Sequence, residues 1–414
     1  MRRMSFIWII IVVTIGLDQY VYQVIKTLTQ GVSARGKMII FGGYWGISIT
    51  ALILFAIIPF LNVNEWSKLR NYLFFTFMGL FIAKLLASVF FLIDDIRRLL
   101  QWIAGKLFFN GTEGENMNAD RISRSTFLSW LGLGVGGTVF SSLVYGFSNK
   151  YSYEVRRIKL SYDNLPPAFR GLKIVQLSDI HSGSFTDKKA VERGVDMVLK
   201  ENPDLILFTG DLVNDMAVEM KNYTDVFSRL KAPMGVFSTL GNHDYGDYAW
   251  WETPEAKAAN LEKLKQIQKD MGWRLLMNEH VALERGGEQI ALIGIENWSA
   301  KARFPKYGKM SEAYPGAEKY PFKILMSHDP SHWDAEVRPK YPDIDLALAG
   351  HTHGMQFGIE IPGFKWSPVQ YVYKEWAGLY EEGRQKLYVN RGYGFIGYPG
   401  RVGIMPEITV IELS

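Results

Sequence analysis

Met234-Gly235-Val236-Phe237-Ser238-Thr239-Leu240-Gly241-Asn242-His243-Asp244 decides how the carboxy-terminal half of this chain is read. The run up to Leu240 is short, apolar and rich in β-formers, the pattern of a buried strand. Gly241 then permits a sharp turn, and three polar side chains follow where a parallel strand ends. In open α/β sheets, ligands sit in the crevice beyond the carboxyl ends of the strands. There an amide oxygen can bind a metal, an imidazole can carry a proton, and a carboxylate can orient that imidazole. Gly, Asn and Asp are also ordinary turn formers, so this stretch alone leaves a plain turn open.

Four other strand ends finish in the same style. Residues 172–177 lead into Ser178-Asp179-Ile180-His181, and 204–208 into Thr209-Gly210-Asp211. Residues 322–326 lead into Ser327-His328, and 344–349 into Gly350-His351-Thr352-His353-Gly354. Between them the pattern predicts helices over 188–200, 219–231 and 253–271. An antiparallel pair, 273–284 and 288–296, turns at Gly286-Gly287, and 386–390 and 407–413 read as closing strands. Short β-type runs alternating with helical stretches signal an α/β domain from about Tyr153 onward.

The strand ends hold Asp179, His181, Asp211, Asn242, His328, His351 and His353 besides His243. Carboxylate, amide and imidazole donors suit Mn, Zn or Fe better than Mg or Ca, which prefer oxygen-only shells. The set is too large for one tetrahedral site. It suits two divalent metal ions sharing a bridging carboxylate, about 3.5–4 Å apart, an arrangement that can clamp a phosphoryl group.

In order, Asp-x-His, Gly-Asp, Gly-Asn-His-Asp, His and Gly-His-x-His resemble the calcineurin-like metallophosphoesterase superfamily over residues 172–414. The closing Tyr388-Val-Asn-Arg-Gly-Tyr-Gly394, with Arg401 and Pro406-Glu-Ile408, is similar to its membrane-anchored bacterial branch. Some members of that branch cleave UDP-2,3-diacylglucosamine. The resemblance implies a β-sandwich flanked by helices. It implies Asp179, His181 and His353 on one metal, Asn242, His328 and His351 on the other, and Asp211 bridging. By the same resemblance His243 binds no metal, contacts the phosphate and protonates the leaving oxygen, with Asp244 orienting it. Where that branch often has Gly-Asp-Leu-Val-Asp, this chain has Gly210-Asp-Leu-Val-Asn-Asp215, which sets Asp215 one place late and outside the ligand set.

Arg391 and Arg401 carry guanidinium forks that match phosphate oxygens, so both are substrate-binding candidates, with a structural ion pair as the competing reading. His332 reads as a neighbour of the site or a surface residue, and His280 as structural. Phe364, Trp366, Tyr371, Tyr373, Trp376 and Tyr380 follow the Gly-His-Thr-His element. Such density is usually core; beside the metals it can also rim an acyl chain or a bilayer interface.

The first 150 residues are different. Apolar runs over 6–25, 38–61, 72–93 and 127–147 are each long enough to cross a bilayer as a helix. The expected organisation is therefore α+β, with a transmembrane helix bundle over 1–150 and the metallophosphoesterase domain over 151–414. Asp18 and Lys84 interrupt two of the runs and are expected to face other helices, because charge facing lipid is costly. Residues 96–109 read as an amphipathic helix in the membrane interface, and Asn110 to Asn118 as a polar linker. The segment from Arg121 to Leu128 resembles a degenerate twin-arginine export signal without the arginine pair. Together with a slight Lys and Arg bias, it places the catalytic domain on the outer, periplasmic face of a bacterial inner membrane.

A net charge of only +4 argues against nucleic acid as partner, and the absence of cysteine excludes disulfides and thiolate chemistry. The expected partners are membrane lipid and a phosphate-ester substrate, lipid-linked or nucleotide-linked; oligomeric state is not readable. The function expected is hydrolysis of a phosphodiester or pyrophosphate bond. The alternatives are a membrane sensor or scaffold with a structural metal site, and a protein phosphomonoesterase.

Overall fold

A computed structural model of the chain describes residues 2–61, 63–108, 124–301 and 304–414. It divides into two compact units, Met1–Tyr145 and Gly146–Ser414. The polar linker and Arg121 of the export-like segment lie outside the described residues.

The amino-terminal unit is built from α1 (Arg2–Leu28), α2 (Ala34–Ile57), α3 (Val63–Phe108) and α4 (Arg124–Asn149), whose last residues belong to the second unit. Each contains a stretch apolar and long enough to cross a membrane, starting with Trp8–Leu28. Asp18 does not break the first of these because it does not face outward. It is buried, forms an ion pair with Lys84 of α3, and accepts hydrogen bonds from Ser48 (3.0 Å) and Tyr44 (3.1 Å) of α2. The ammonium of Lys84 also donates to Ser48 (2.8 Å). One charge cluster thus ties three helices together and accounts for both interruptions. Asp18→Ala strands a buried ammonium and is expected to cost about 3–5 kcal/mol, whereas Asp18→Ala with Lys84→Met should recover most of that loss. Thermal unfolding of the detergent-purified chain checks this; equal destabilisation by the two variants contradicts it.

Residues 96–108 are not the separate interfacial helix that their pattern predicts, but the last turns of α3. No proline interrupts them. Arg97 bonds Asp94 (2.7 Å) and Gln101 (2.9 Å) along the helix surface, which carries the α-conformation onward.

The second unit holds two six-stranded sheets. In the first, the order is β1 (Glu154–Leu160), β14 (Glu407–Leu413), β2 (Lys173–Leu177), β3 (Leu205–Phe208), β4 (Val236–Ser238) and β5 (Arg274–Leu275). In the second it is β12 (Gly378–Glu382), β13 (Gln385–Val389), β9 (Leu346–Ala349), β8 (Lys323–Met326), β7 (Glu288–Gly294) and β6 (Glu279–Arg285). Ile174, Leu205, Leu207 and Ile411 of one sheet pack with Ile324, Met326, Leu346 and Leu348 of the other. On the outer face of the first sheet, Val191, Val195 and Val198 of α5 (Lys188–Lys200) and Leu264 of α7 (Pro254–Asp270) cover Val175, Leu177, Ile206 and Phe208. Strands buried on both faces are why β2, β3, β8 and β9 read as continuous apolar runs. This is the β-sandwich with flanking helices that the resemblance implied.

Strand register brings the polar loops together. Leu177 lies beside Phe208, and Phe208 beside Ser238. Met326 lies beside Leu348, and Ala349 beside Val389. Within each sheet the parallel strands therefore end level, three polar loops leaving the first sheet and two the second.

Two elements differ from expectation. The helix expected over 219–231 is a 3₁₀ turn, Ala217–Asn222, followed by the short α6 (Thr224–Phe227). The buried positions step by three through Ala217, Met220 and Tyr223, the 3₁₀ period, and then by three and four to Val226 and Phe227. The first arm of the expected hairpin splits: β5 joins the first sheet, and Asn278, at φ 56°, turns the chain into β6 of the second. The Gly286-Gly287 turn is as expected, with φ of 59° and 82°.

Candidate metal centre

Three of the five loops are strained where they carry polar groups. Asp179, His181, Asp211, His351 and His353 all have positive φ, between 49° and 69°. Non-glycine residues in that region cost free energy and gather at functional sites. Close packing of the loops holds them there. A Cβ on Gly241 would run into the carboxylate of Asp211, and one on Gly350 into Ser178 and Asp179. Only glycine lets these loops approach each other.

Two groups of side chains result. Asp179, His181 and His353 form one, Asp211, His328 and His351 the other, and within each the ligand atoms lie within 4.8 Å of one another. Asp211 stands between them. Its Oδ2 is 3.6 Å from His181 Nε2 and 3.1 Å from His328 Nε2, while its Oδ1 accepts the backbone N–H of His243 (2.8 Å). His181 Nε2 and His353 Nε2 are 3.1 Å apart, and His351 Nδ1 is 3.3 Å from His328 Nε2.

Three features show that these residues fit a pair of divalent ions. First, Asn242 Oδ1 is buried with no hydrogen-bond partner, while its amide nitrogen donates to Tyr248 (2.9 Å) and fixes which way the oxygen points. A lone buried acceptor in a cluster of lone pairs is the donor set of a cation. Second, the imidazoles are oriented by their far nitrogens. His328 Nδ1 donates to the Thr209 carbonyl (2.7 Å), leaving Nε2 for the cluster, and His351 Nε2 meets the Tyr373 hydroxyl (2.9 Å), leaving Nδ1. Tyr373 in turn donates to Asp329 (3.1 Å). Third, burial keeps His181 well below the usual imidazole range, in the neutral form that ligates. At His328 burial works against a charge, but Asp211 and Asp179 outweigh it and raise the pKa to about 10. The carboxylates draw positive charge to this point, and a divalent ion would supply it in place of the proton.

His243 sits at the edge, its ring 5.0 Å from that of His181. Its Nδ1 donates to the Asn214 carbonyl (2.6 Å), so the other ring nitrogen is the one left for chemistry. The expectation that Asp244 orients His243 is corrected here. The Asp244 carboxylate instead accepts the backbone N–H groups of Asp211 (2.9 Å), Leu212 (2.8 Å) and Gly241 (2.9 Å). Three turn amides satisfy it, and it clamps the Asp211 loop.

Arg391 and Arg401 are likewise corrected. Arg391 is buried in ion pairs with Glu360 and Glu407, both at 2.6 Å. Arg401 is buried against the carbonyls of Arg391 (2.8 Å), Gly392 (3.1 Å) and Gly394, with His353 Nδ1 at 3.4 Å, and burial lowers its pKa to about 9. Neither presents a fork to a phosphate: Arg391 makes the structural ion pairs of the competing reading, whereas Arg401 is held by backbone carbonyls. His332 is buried, bonded to Ser327 (2.9 Å), and His280 bonds the Ala313 carbonyl (2.8 Å). Asp215 is absent from both groups, as the one-place shift implied. Its pKa rises to about 6 through burial.

Sequence reasoning missed Asn214, Tyr248 and Asp329, and had Tyr373 only as a member of the aromatic set, not as the partner of His351. Of these, only Asp329 carried a signal, a carboxylate directly after His328.

Both groups open into a cavity of about 630 Å³. His181, Asp211, Asn242, His243 and His351 form its polar floor, and Met355, Pro368, Val369, Val372 and Ile396 an apolar wall. The aromatic rim is therefore only partly as expected. Tyr373 and Trp376 are core residues, 5% and 3% exposed, whereas Phe364 and Tyr371 are open to solvent.

Residues 2–150 match the family described as "Probable Calcineurin-like phosphoesterase, transmembrane domain", and residues 172–355 match "Calcineurin-like phosphoesterase". A "Transmembrane protein with metallophosphoesterase domain" of Danio rerio is 29% identical over 84% of this chain and 74% of its own length. "Phosphodiesterase YaeI" of Escherichia coli is 28% identical over 70% of this chain and 99% of its own. "UDP-2,3-diacylglucosamine pyrophosphatase LpxG" of Chlamydia muridarum is 26% identical over 56% of this chain and 81% of its own.

Proposed function

We propose, from the premise that this chain belongs to the calcineurin-like metallophosphoesterases, that it is a membrane-anchored hydrolase of phosphodiester or pyrophosphate bonds using two divalent ions. The observation that carries this reading is the pair of three-residue groups at the floor of an open cavity, with Asp211 of one group 3.6 Å from His181 of the other. Asp179, His181 and His353 would hold one ion, Asn242, His328 and His351 the other, with Asp211 common to both. Bound there, manganese, zinc or iron supplies Lewis acidity to the phosphoryl oxygens and lowers the pKa of water, so that the attacking nucleophile exists at neutral pH.

The rest is done by this chain. His243, held through Nδ1 and lining the cavity, has Nε2 left to protonate the departing oxygen. Asp244 fixes the Asp211 loop, so the bridging carboxylate is in place before substrate arrives. The Tyr373–Asp329 pair does the same for His351. The apolar cavity wall supports a lipid-linked or nucleotide-linked lipid substrate of the kind named for the Chlamydia relative, UDP-2,3-diacylglucosamine. The orientation proposed, resting on the Lys and Arg bias and the export-like segment and not on the substrate, is a catalytic unit on the outer face of a bacterial inner membrane.

Hydrolysis of bis(p-nitrophenyl) phosphate by the purified chain with Mn²⁺, abolished by chelation, is the expected result. Retained metals without hydrolysis would support the sensor or scaffold reading instead. Preference for p-nitrophenyl phosphate would support the phosphomonoesterase. A lipid-extract screen with the Mn²⁺-loaded protein, scored for released phosphoryl products, then identifies the substrate.

A further inference from the structure

Two short strands, β10 (Ile359–Ile361) and β11 (Phe364–Trp366), form a hairpin outside both large sheets. Ile359 pairs with Trp366, Glu360 with Lys365, and Ile361 with Phe364. Paired residues of an antiparallel ribbon share a face, and neighbours along a strand alternate. One face is therefore Ile359, Ile361, Phe364 and Trp366; the other is Glu360 and Lys365. The polar face is anchored. Glu360 pairs with Arg156 (2.9 Å) and Arg391 (2.6 Å), and Lys365 donates to the Ala377 carbonyl. The apolar face is left open: Ile359, Ile361 and Phe364 are 49%, 58% and 53% exposed. Tyr371, beside Trp366, and Val372 and Met355, at the cavity wall, extend the same apolar surface. Adjacent exposed apolar side chains on a pinned scaffold mark an interaction site.

The root of the hairpin says what that partner is. Gly358 donates to the Val402 carbonyl (2.9 Å), and Arg401, one residue earlier, donates to the carbonyl of Gly146 (2.9 Å). Residues 146–149 are the last turn of α4, a helix long and apolar enough to span a membrane, and they belong to this same unit. A spanning helix ends at the bilayer surface, so a segment rooted on its final turn is held at that surface. Aromatic residues that combine an apolar ring with a polar tip, as Trp366 and Tyr371 do, suit that boundary.

We infer that the β10–β11 hairpin inserts the side chains of Ile359, Ile361 and Phe364 into the surface of the bilayer that anchors the chain. This goes beyond the phosphoesterase reading and does not depend on it. Because the chain contains no cysteine, a single introduced thiol is a unique labelling site. A spin label is placed on Phe364→Cys, on Ile361→Cys and, as control, on Lys263→Cys of exposed α7, each in the full chain in nanodiscs of phosphatidylethanolamine and phosphatidylglycerol. The expected result is that labels at 364 and 361 gain collisions with oxygen and lose collisions with a water-soluble nickel chelate, relative to 263. Nickel accessibility equal to that of the control overturns the inference. So does a label shielded from both reagents, which would mark a second copy of the chain or another protein covering the hairpin.

Discussion

Asp211→Asn will remove most of the hydrolytic activity while leaving the fold intact. The substitution keeps the shape of the side chain and removes its charge. Asp211 Oδ2 is the oxygen that faces both groups, at 3.6 Å from His181 and 3.1 Å from His328. Lewis acidity from a metal pair is worth several kcal/mol, and at about 1.4 kcal/mol per decade this is a loss of roughly 10³-fold or more in kcat. Metal analysis should show less than two ions per chain at concentrations that saturate the parent. Asn242→Ala and His351→Ala should lower occupancy of one position only. If Asp211→Asn retains both ions and parent turnover, the carboxylate is not the bridge.

The second large effect is kinetic. His243→Ala should keep both ions and slow turnover by about 10²–10⁴-fold, the contribution of a placed general acid. The leaving group discriminates this from a structural role. An alkoxide departs badly without a proton, while p-nitrophenolate departs well. The variant should therefore lose much more activity on an alkyl phosphodiester than on bis(p-nitrophenyl) phosphate. Equal loss on both would mean that His243 contributes binding or charge stabilisation and not the proton. Replacing Asp244 should behave differently, because its carboxylate holds the backbone of the Asp211 loop and not the His243 ring. Its loss should weaken metal retention rather than alter leaving-group dependence.

Much of the centre is legible in the sequence because it is local. Strands buried on both faces announce themselves as short apolar runs, and a strand end with glycine beside Asp, Asn or His repeats along the chain. What is not legible depends on residues far apart in the chain. Whether a guanidinium meets a phosphate or a carboxylate is decided by distant partners: Arg391 is taken up by Glu360 and Glu407, 31 and 16 positions away. The role of Asp244 is ambiguous in sequence because a carboxylate beside a histidine can face the ring or the backbone, and the turn amides of Asp211 and Leu212 come from another loop. The 3₁₀ segment after Met216 is readable in part, since its buried Ala217 and Met220 step by three while the exposed Val218 does not follow them. So is the hairpin, where Ile359-Glu-Ile-Pro-Gly-Phe-Lys-Trp366 alternates about a Pro-Gly turn; its aromatic content points to core packing just as readily. In the helical unit, the Asp18–Lys84 pair follows from the expense of a lone charge among apolar residues, but the third helix it recruits, through Ser48 and Tyr44, does not.

The central claim is that side chains from five separate loops converge to hold two cations close together. Mn²⁺ titration of the metal-free full chain, followed by electron paramagnetic resonance, tests it directly. Two ions per chain with an exchange-coupled spectrum, as for a pair about 3.5–4 Å apart, is the predicted result. One ion, or two that give only uncoupled signals, would contradict it.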